Sequence, residues 1–121
     1  MELVEYAKRV IARRSEGVVA VNRAVSLPDW TPQMNQCHDN VRKWVSAMPQ
    51  HKHVFGYLIC DYLPIGHWVV RPHSLVEFED GTLVDITPRP IPWQYPFVRH
   101  LGSEEEFAEM EVAMEIRVPC S

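Results

Sequence analysis

The sequence lacks the features that mark several large classes of protein. No run approaches the roughly 18 apolar residues that a membrane-spanning helix needs. The first residues, MELVEYAKRVIARR, mix charged and apolar side chains and contain no continuous apolar stretch of a secretory signal. Basic residues are scattered and the net charge is -4, so nothing indicates a surface for nucleic acid. We therefore expect a cytoplasmic protein with no membrane segment and no nucleic-acid partner.

Cysteine is also scarce, and its number and spacing argue against a disulfide-rich protein and against a zinc-binding protein. Cys37, Cys60 and Cys120 are too few and too odd in number for a disulfide framework, so we interpret them as thiols. The chain has no Cys-x-x-Cys pair and no His-Glu-x-x-His motif, which leaves His51 and His53 as a weak case for zinc. No calcium-binding or nucleotide-binding motif is evident either. The sequence therefore predicts no metal and no cofactor.

What is present fits one α+β domain over residues 1–121. A hydrophobic fraction of 46% and a charged fraction of 23% are those of a globular protein, and the length suits a single core. Apolar residues at three-to-four spacing predict one helix over Glu2–Arg14 and another over about Asn35–Met48. In the second helix we expect Asn35 to be the N-cap and Cys37 to lie in the first turn.

The second half of the chain has the character of a sheet. From His51 onward, runs rich in Val, Ile, Phe, Tyr and Thr are bounded by Gly, Pro and Asp, which predicts an antiparallel sheet. The proline-rich stretch 88–96 predicts an extended surface crossing. Ser103 with Glu106 forms a capping-box pattern for a short helix, and alternation over 112–118 predicts a final strand.

The hairpin in RPHSLVEFEDGTLVDITP determines which side chains share a face. A two-residue loop would place Asp85 among core apolar groups, which is costly. A three-residue loop over 79–81 instead pairs Val76 with Val84 and collects apolar residues on one face. The opposite face then carries His73 diagonal to Asp85, within reach of a side-chain contact.

Three residues supply the parts of an activated thiol. A cysteine in the first turn of a helix has its thiolate favoured by the helix dipole and by unpaired amides, and a nearby imidazole lowers its pKa further. That imidazole needs a carboxylate or amide to hold the productive tautomer. Cys37, His73 and Asp85 provide these groups in the order cysteine, histidine, aspartate.

This order resembles that of the papain-like and transglutaminase-like cysteine enzymes. The stretch HSLVEFEDGTLVDITP is similar to the transglutaminase-core pattern, in which a His-x-x-Val-Glu strand runs through an Asp-Gly turn to an Asp followed by Thr-Pro. The resemblance covers about forty residues in two blocks. It implies a small papain-like or transglutaminase-like domain, with N-terminal helices packed on an antiparallel sheet. It also implies that Cys37 is the nucleophile, His73 the general base and acid, and Asp85 its orienting partner.

The chain also departs from that pattern. His38 follows the nucleophile where those families usually carry an aromatic residue, and we expect it to be a solvent-facing helix residue or else a second polar group in the cleft. Oxyanion stabilisation in these families often uses the cysteine amide with an upstream side chain. The candidates for oxyanion or substrate contacts are Gln33, Asn35, Gln36, His38 and Trp68. Trp93 and Tyr95 are further groove candidates, with ordinary packing as the alternative.

The function predicted from these residues is cysteine-dependent acyl transfer. The Cys37 thiolate would attack the carbonyl of a peptide or protein amide, and water or a second amine would resolve the thioester. Hydrolysis, deamidation and transamidation share these steps, so a peptidase, a deamidase and a transglutaminase-like enzyme all stay open. The alternatives are a non-catalytic binding or regulatory module of the same fold and a zinc-binding protein. The sequence predicts no oligomeric state.

Overall fold

The computed structural model describes residues 2–62, 66–89, 94–113 and 115–119, except for the side chains of residues 61 and 62. Within these residues the protein is α+β, with three α-helices and a six-stranded sheet. None of the described helices is long and apolar enough to span a bilayer. The elements in chain order are α1 (Leu3–Ala12), a 3₁₀ turn (Arg14–Glu16), β1 (Val21–Asn22), α2 (Cys37–Ala47), β2 (Lys52–Tyr62), β3 (His67–Glu77), β4 (Leu83–Asp85), β5 (Phe97–Arg99), α3 (Glu104–Ala113) and β6 (Ile116–Pro119).

The sheet has the strand order β1-β4-β3-β2-β5, and β6 pairs with β3. The pairs β3/β4, β3/β6 and β2/β5 are antiparallel, as the sequence predicts. The prediction of a wholly antiparallel sheet is wrong at one edge, because β1 runs parallel to β4, with Val21 opposite Val84. A parallel pair needs a long connection, and the chain between β1 and β4 contains α2, β2 and β3.

The hairpin between β3 and β4 has the predicted register. Val76 is opposite Val84, and the amide of Phe78 donates to the carbonyl of Thr82 at 3.0 Å. Gly81 has φ +86°, a left-handed conformation that a residue without a Cβ adopts at little cost. This three-residue loop confirms the register from which the proximity of His73 and Asp85 was predicted.

The chain clusters into two compact units. Unit 1 comprises residues 1–19, 55–72 and 95–121, and unit 2 comprises residues 20–54 and 73–94. The prediction of a single domain over 1–121 stays a prediction.

Unit 1 has a core built on α1. As the helical spacing predicts, Ala7, Val10 and Ile11 are buried, and they pack in one cluster with Tyr57 and Phe107. α1 begins at Leu3 and ends at Ala12, slightly inside the predicted range, with the carboxylate of Glu2 capping the amide of Val4 at 3.1 Å.

The C-terminal elements of unit 1 correct the sequence prediction in part. The capping box is confirmed, because the hydroxyl of Ser103 accepts from the amide of Glu106 and the carboxylate of Glu106 accepts from the amide of Ser103, each at 3.2 Å. α3 continues to Ala113, so Val112 lies on this helix, with an exposed fraction of 84%, and the final strand begins only at Ile116. The helix extends past the predicted strand start because Phe107 and Met110 bury its inner face.

β5 was not predicted from the sequence, because the proline-rich stretch before it indicates only extended chain. Within 88–96, residues 90–93 lie outside the described part of the chain, while Tyr95 and Pro96 lead directly into β5. β5 then pairs with β2, with Phe97 opposite Leu58.

Unit 2 contains α2, the hairpin and β1, and its core joins these elements. Val41 and Trp44 on α2 pack in one cluster with Val76, Val84 and Ile86, all of which are buried. This apolar contact sets α2 against the hairpin that carries the polar residues described next. Burial of each aliphatic side chain of this kind contributes roughly 1.5–3 kcal/mol.

Candidate active site

Cys37 is the first residue of α2. The N-cap is Gln36, so the prediction of Asn35 as N-cap is wrong. Asn35 has φ +64°, a left-handed conformation that asparagine tolerates, and this turn delays the start of the helix. The first intrahelical bond runs from the amide of Asn40 to the carbonyl of Gln36 at 2.8 Å. The backbone amides that come before Asn40 in the first turn therefore have no acceptor within the helix, and the positive end of the helix dipole lies at Cys37.

Asn40 holds the helix start in place through three hydrogen bonds. Its Oδ1 accepts from the backbone amide of Gln33 at 2.9 Å, and its Nδ2 donates to the Gln33 carbonyl at 2.7 Å and to the Thr87 hydroxyl at 3.0 Å. Asn40 is buried, with an exposed fraction of 2%. One side chain thus ties the loop before Cys37 and the residues after β4 to the first turn of α2. Its sequence context carries no signal for this role.

His73 and Asp85 are in direct contact, as the hairpin register predicts. His73 Nε2 donates to Asp85 Oδ2 at 2.8 Å, and both side chains are buried. Asp85 also accepts from Arg89 Nη2 at 3.0 Å and, through Oδ1, from the amide of Thr87 at 3.1 Å. Burial raises the pKa of the Asp85 carboxyl, but the hydrogen bond and charge of His73, with the bonds from Arg89 and Thr87, outweigh burial and hold that pKa below its ordinary value.

The thiol of Cys37 is acidified by two imidazoles. Burial by itself raises its pKa, but hydrogen bonds with His38 and His73, together with their positive charge, lower the pKa to about 6 from an ordinary value of 9.0. For His73, burial disfavours the imidazolium, but the hydrogen bonds with Asp85 and Cys37 and their negative charge raise the pKa to about 9. Between these two values, Cys37 is a thiolate and His73 an imidazolium.

Beside Cys37, Ser74 contacts His38, and His53 contacts the same serine. His38 Nδ1 lies 2.6 Å from the hydroxyl of Ser74, and the same hydroxyl lies 2.8 Å from Nε2 of His53. Ser74 is fully buried and His38 is partly buried, so the prediction of a solvent-facing histidine is wrong. Burial, followed by the charges of Arg42 and His38, lowers the pKa of His53 to about 4. His53 is therefore neutral where Cys37 is a thiolate.

The other residues predicted to contact the oxyanion or the substrate include three exposed residues before α2 and one tryptophan in unit 1. Gln33 is exposed and its Nε2 donates to the Thr31 carbonyl at 3.0 Å, and Asn35 and Gln36 are exposed as well. Trp68 belongs to unit 1, where it packs against the core cluster and lies under the guanidinium of Arg14, 5.2 Å from the ring centroid. Trp93 lies outside the described residues.

The remaining cysteines differ from Cys37. Cys60 is fully buried, which confirms its predicted core position, and burial raises its pKa to about 11. Cys120 lies outside the described residues. Cys37 and Cys60 are free thiols.

His51 and His53, the residues considered for zinc, each have a different neighbour. His51 Nδ1 accepts from Trp44 Nε1 at 2.9 Å, and its ring stacks on Phe78 with 4.0 Å between centroids. Among the described residues, no group of three or more His, Cys, Asp or Glu side chains is arranged to hold a metal ion. His51 is thus part of the packing between α2 and the hairpin.

No protein-family model, curated protein or solved structure matches the chain. Sequence reasoning missed the contacts of Asn40, Ser74 and Arg89, and it considered His53 only as a zinc ligand. Ser74, directly after His73, and Arg89, four residues after Asp85, lie close enough in sequence to the predicted site to have been considered.

Proposed function

We propose that this protein is a cysteine-dependent amide hydrolase or acyl transferase with a papain-like or transglutaminase-like arrangement of Cys37, His73 and Asp85. The observation that supports it best is the connected contact from Cys37 to His73 and from His73 to Asp85 at 2.8 Å. Such an arrangement keeps a thiolate at neutral pH and a proton donor beside it, which are the two requirements for attack on an amide.

Acylation then has three parts. The Cys37 sulfur bonds to the carbonyl carbon of a peptide or protein amide, and the negative charge moves to the carbonyl oxygen. Backbone amides of the first turn of α2 stabilise that oxyanion, since they have no intrahelical partner. His73 Nδ1, the nitrogen not bound to Asp85, gives its proton to the amine as the carbon–nitrogen bond breaks. Water or a second amine then displaces the thiolate from the thioester.

Asp85 is well suited to hold His73 in the required tautomer. An ionised carboxylate only accepts hydrogen bonds, so His73 Nε2 must carry a proton, and Nδ1 is the nitrogen left to bond with the thiol. The bonds from Arg89 and Thr87 fix both carboxylate oxygens and keep Asp85 ionised. A reducing compartment such as the cytoplasm, where we propose the protein acts, would keep Cys37 a free thiol.

The first test is the pH dependence of iodoacetamide alkylation at Cys37, followed by peptide mass spectrometry. In the wild type the labelling midpoint is expected near pH 6, and in His73→Ala it is expected to rise toward the ordinary thiol value. Cys60 is the internal control, because its buried thiol with a raised pKa should label only at high pH.

The second test concerns turnover. Peptides that contain glutamine or asparagine are incubated with hydroxylamine, and hydroxamate formation is measured for the wild type and for Cys37→Ala. Hydroxamate that depends on Cys37 supports acyl transfer. A Cys37 that labels like a free thiol, unchanged in His73→Ala and without hydroxamate, would instead identify a non-catalytic binding module.

A further inference from the structure

Cys37 contacts a second imidazole that the proposed mechanism leaves unused. His38 forms a hydrogen bond with Cys37, and its Nδ1 lies 2.6 Å from the Ser74 hydroxyl. With Nδ1 at Ser74, Nε2 is the nitrogen left to exchange a proton near the sulfur. His53 Nε2 lies 2.8 Å from the same hydroxyl, so the two imidazoles share one buried serine.

The two histidines at Cys37 have partners of different charge. His73 is held by the carboxylate of Asp85, which favours the imidazolium, whereas His38 is held by a neutral hydroxyl. After His73 has given its proton to the leaving amine, Asp85 is still beside it and favours the imidazolium, so the ring takes up a proton from solvent before the thioester is attacked. An imidazolium cannot accept the proton of the attacking water or amine, and that step therefore needs another base.

The Ser74 hydroxyl can donate to either His38 or His53 while it accepts from the other. When it donates to His53, it accepts from His38 Nδ1–H, and His38 Nε2 then presents a lone pair. When His53 Nε2–H donates to Ser74, the hydroxyl donates to His38 Nδ1, and His38 Nε2 then carries a hydrogen that can donate to the Cys37 thiolate. His38 can thus accept a proton when Cys37 is a thioester, in the first arrangement, and donate a hydrogen bond when Cys37 is a free thiolate, in the second.

We propose that His38 is a second catalytic residue, which takes the proton from the water or amine that attacks the Cys37 thioester. This inference rests on the proposed function. In hydrolysis, the water oxygen bonds to the thioester carbon, one water proton moves to His38 Nε2, and the carbon–sulfur bond breaks to return the thiolate. The His38 Nδ1 proton passes to Ser74, the Ser74 proton passes to His53, and His53 releases a proton to solvent. Ser74 and His53 are positioning residues that set the direction of this transfer.

Charged and titratable groups face His38 and its partners from several elements. Cys37 contacts it on α2, His73 on β3 acts on Cys37, and His53 on β2 reaches it through Ser74. The charge of Arg42, which pairs with Asp39 at 2.9 Å, acts on His53. A variant at His38 leaves the bond between His73 and Asp85 in place, so the two imidazoles can be tested separately.

The test uses p-nitrophenyl acetate with the whole chain in a rapid-mixing experiment. Its leaving group departs as an anion and needs no proton, so the burst of p-nitrophenolate reports attack by the thiolate, and the slower phase reports loss of the acetyl group. In His38→Gln we expect the burst rate to stay within about tenfold of wild type, since His73 still holds the thiolate, and the second phase to slow about 100-fold or more. Hydroxylamine, a nucleophile that needs no base, should restore turnover of this variant.

Controls distinguish a catalytic from a structural role. Ser74→Ala should slow the second phase while the burst is retained, and it carries the test if thermal unfolding shows that His38→Gln is not folded. Lys43→Ala, an exposed change on the same helix, should leave both phases unchanged. A folded His38→Gln that slows both phases equally, or that leaves the second phase unchanged, overturns this inference alone. A wild type with no burst and no acetylated Cys37 overturns the proposed function as well.

Discussion

Replacement of Asp85 by asparagine removes the charge that keeps His73 protonated. In Asp85→Asn, burial still disfavours the imidazolium and the Arg89 guanidinium is no longer neutralised by the carboxylate, so the pKa of His73 should fall from about 9 to below its ordinary 6.5. Near neutral pH His73 then carries no charge, and Cys37 keeps only the influence of His38.

The size of the change in the Cys37 pKa follows from the contributions of the two imidazoles, His38 and His73. Both imidazoles lower its pKa through a hydrogen bond and through charge, so the loss of one imidazolium should raise the Cys37 pKa from about 6 by about 1 to 2 units. That corresponds to about 1.5 to 3 kcal/mol of differential stabilisation of the thiolate. At pH 6 the thiolate fraction would fall about 5- to 50-fold.

The assay is the midpoint of the pH curve for alkylation of Cys37. A midpoint is preferable to the rate at one pH, because the intrinsic nucleophilicity of a thiolate rises with its pKa and partly masks the loss of thiolate. Asp80→Asn is the matched control, since Asp80 is an exposed carboxylate in the turn of the same hairpin. Its Cys37 midpoint should equal that of the wild type.

Folding of the variant must be measured beside its reactivity. Loss of one partner of a buried ion pair costs about 3–5 kcal/mol, because it leaves the other charge without compensation. The double variant Asp85→Asn with Arg89→Met removes both charges and should recover part of that loss in urea unfolding. If either folded variant keeps the Cys37 midpoint near pH 6, the argument that Asp85 controls the thiolate through His73 is refuted.

Two further predictions concern stability. Asn40→Ala should lower the free energy of unfolding in urea by about 2–4 kcal/mol, because a buried side chain loses three hydrogen bonds, two of them to the backbone of Gln33. An effect no larger than that of the exposed Ser46→Ala would contradict this. Gly56→Ala should destabilise by about 1–3 kcal/mol or more, because the added Cβ would collide with the Phe97 ring, and an unchanged melting temperature would show that this contact relaxes freely.

Local chemistry made several features predictable. The hairpin register follows from one turn glycine and from the alternation of apolar residues on both sides of it, so Val76 and Val84 could be paired before any fold was known. The same reasoning brought His73 close to Asp85, and their contact is confirmed. The capping box at Ser103 and the buried face of α1 are equally local. The catalytic roles of Cys37, His73 and Asp85 stay a prediction.

Features that depend on distant segments could not be predicted in this way. The parallel pairing of β1 with β4 joins residues about 60 positions apart, and nothing in a two-residue strand indicates its partner. The N-cap of α2 is Gln36 rather than the predicted Asn35, because Asn35 has a left-handed backbone conformation. The helical pattern of apolar residues carries no information about that conformation.

The sequence by itself determined the parts of the candidate site: a cysteine at a helix start, and a histidine and an aspartate on one face of a hairpin. Only the tertiary structure decided their setting, because it brings Ser74 and His53 to His38, and Asn40 to the backbone of Gln33. The physical reason is that local patterns and tertiary packing act over different distances along the chain. Periodicity and turn chemistry act over a few residues, whereas the packing of α2 against the hairpin determines which polar groups are buried together and therefore which pKa values shift.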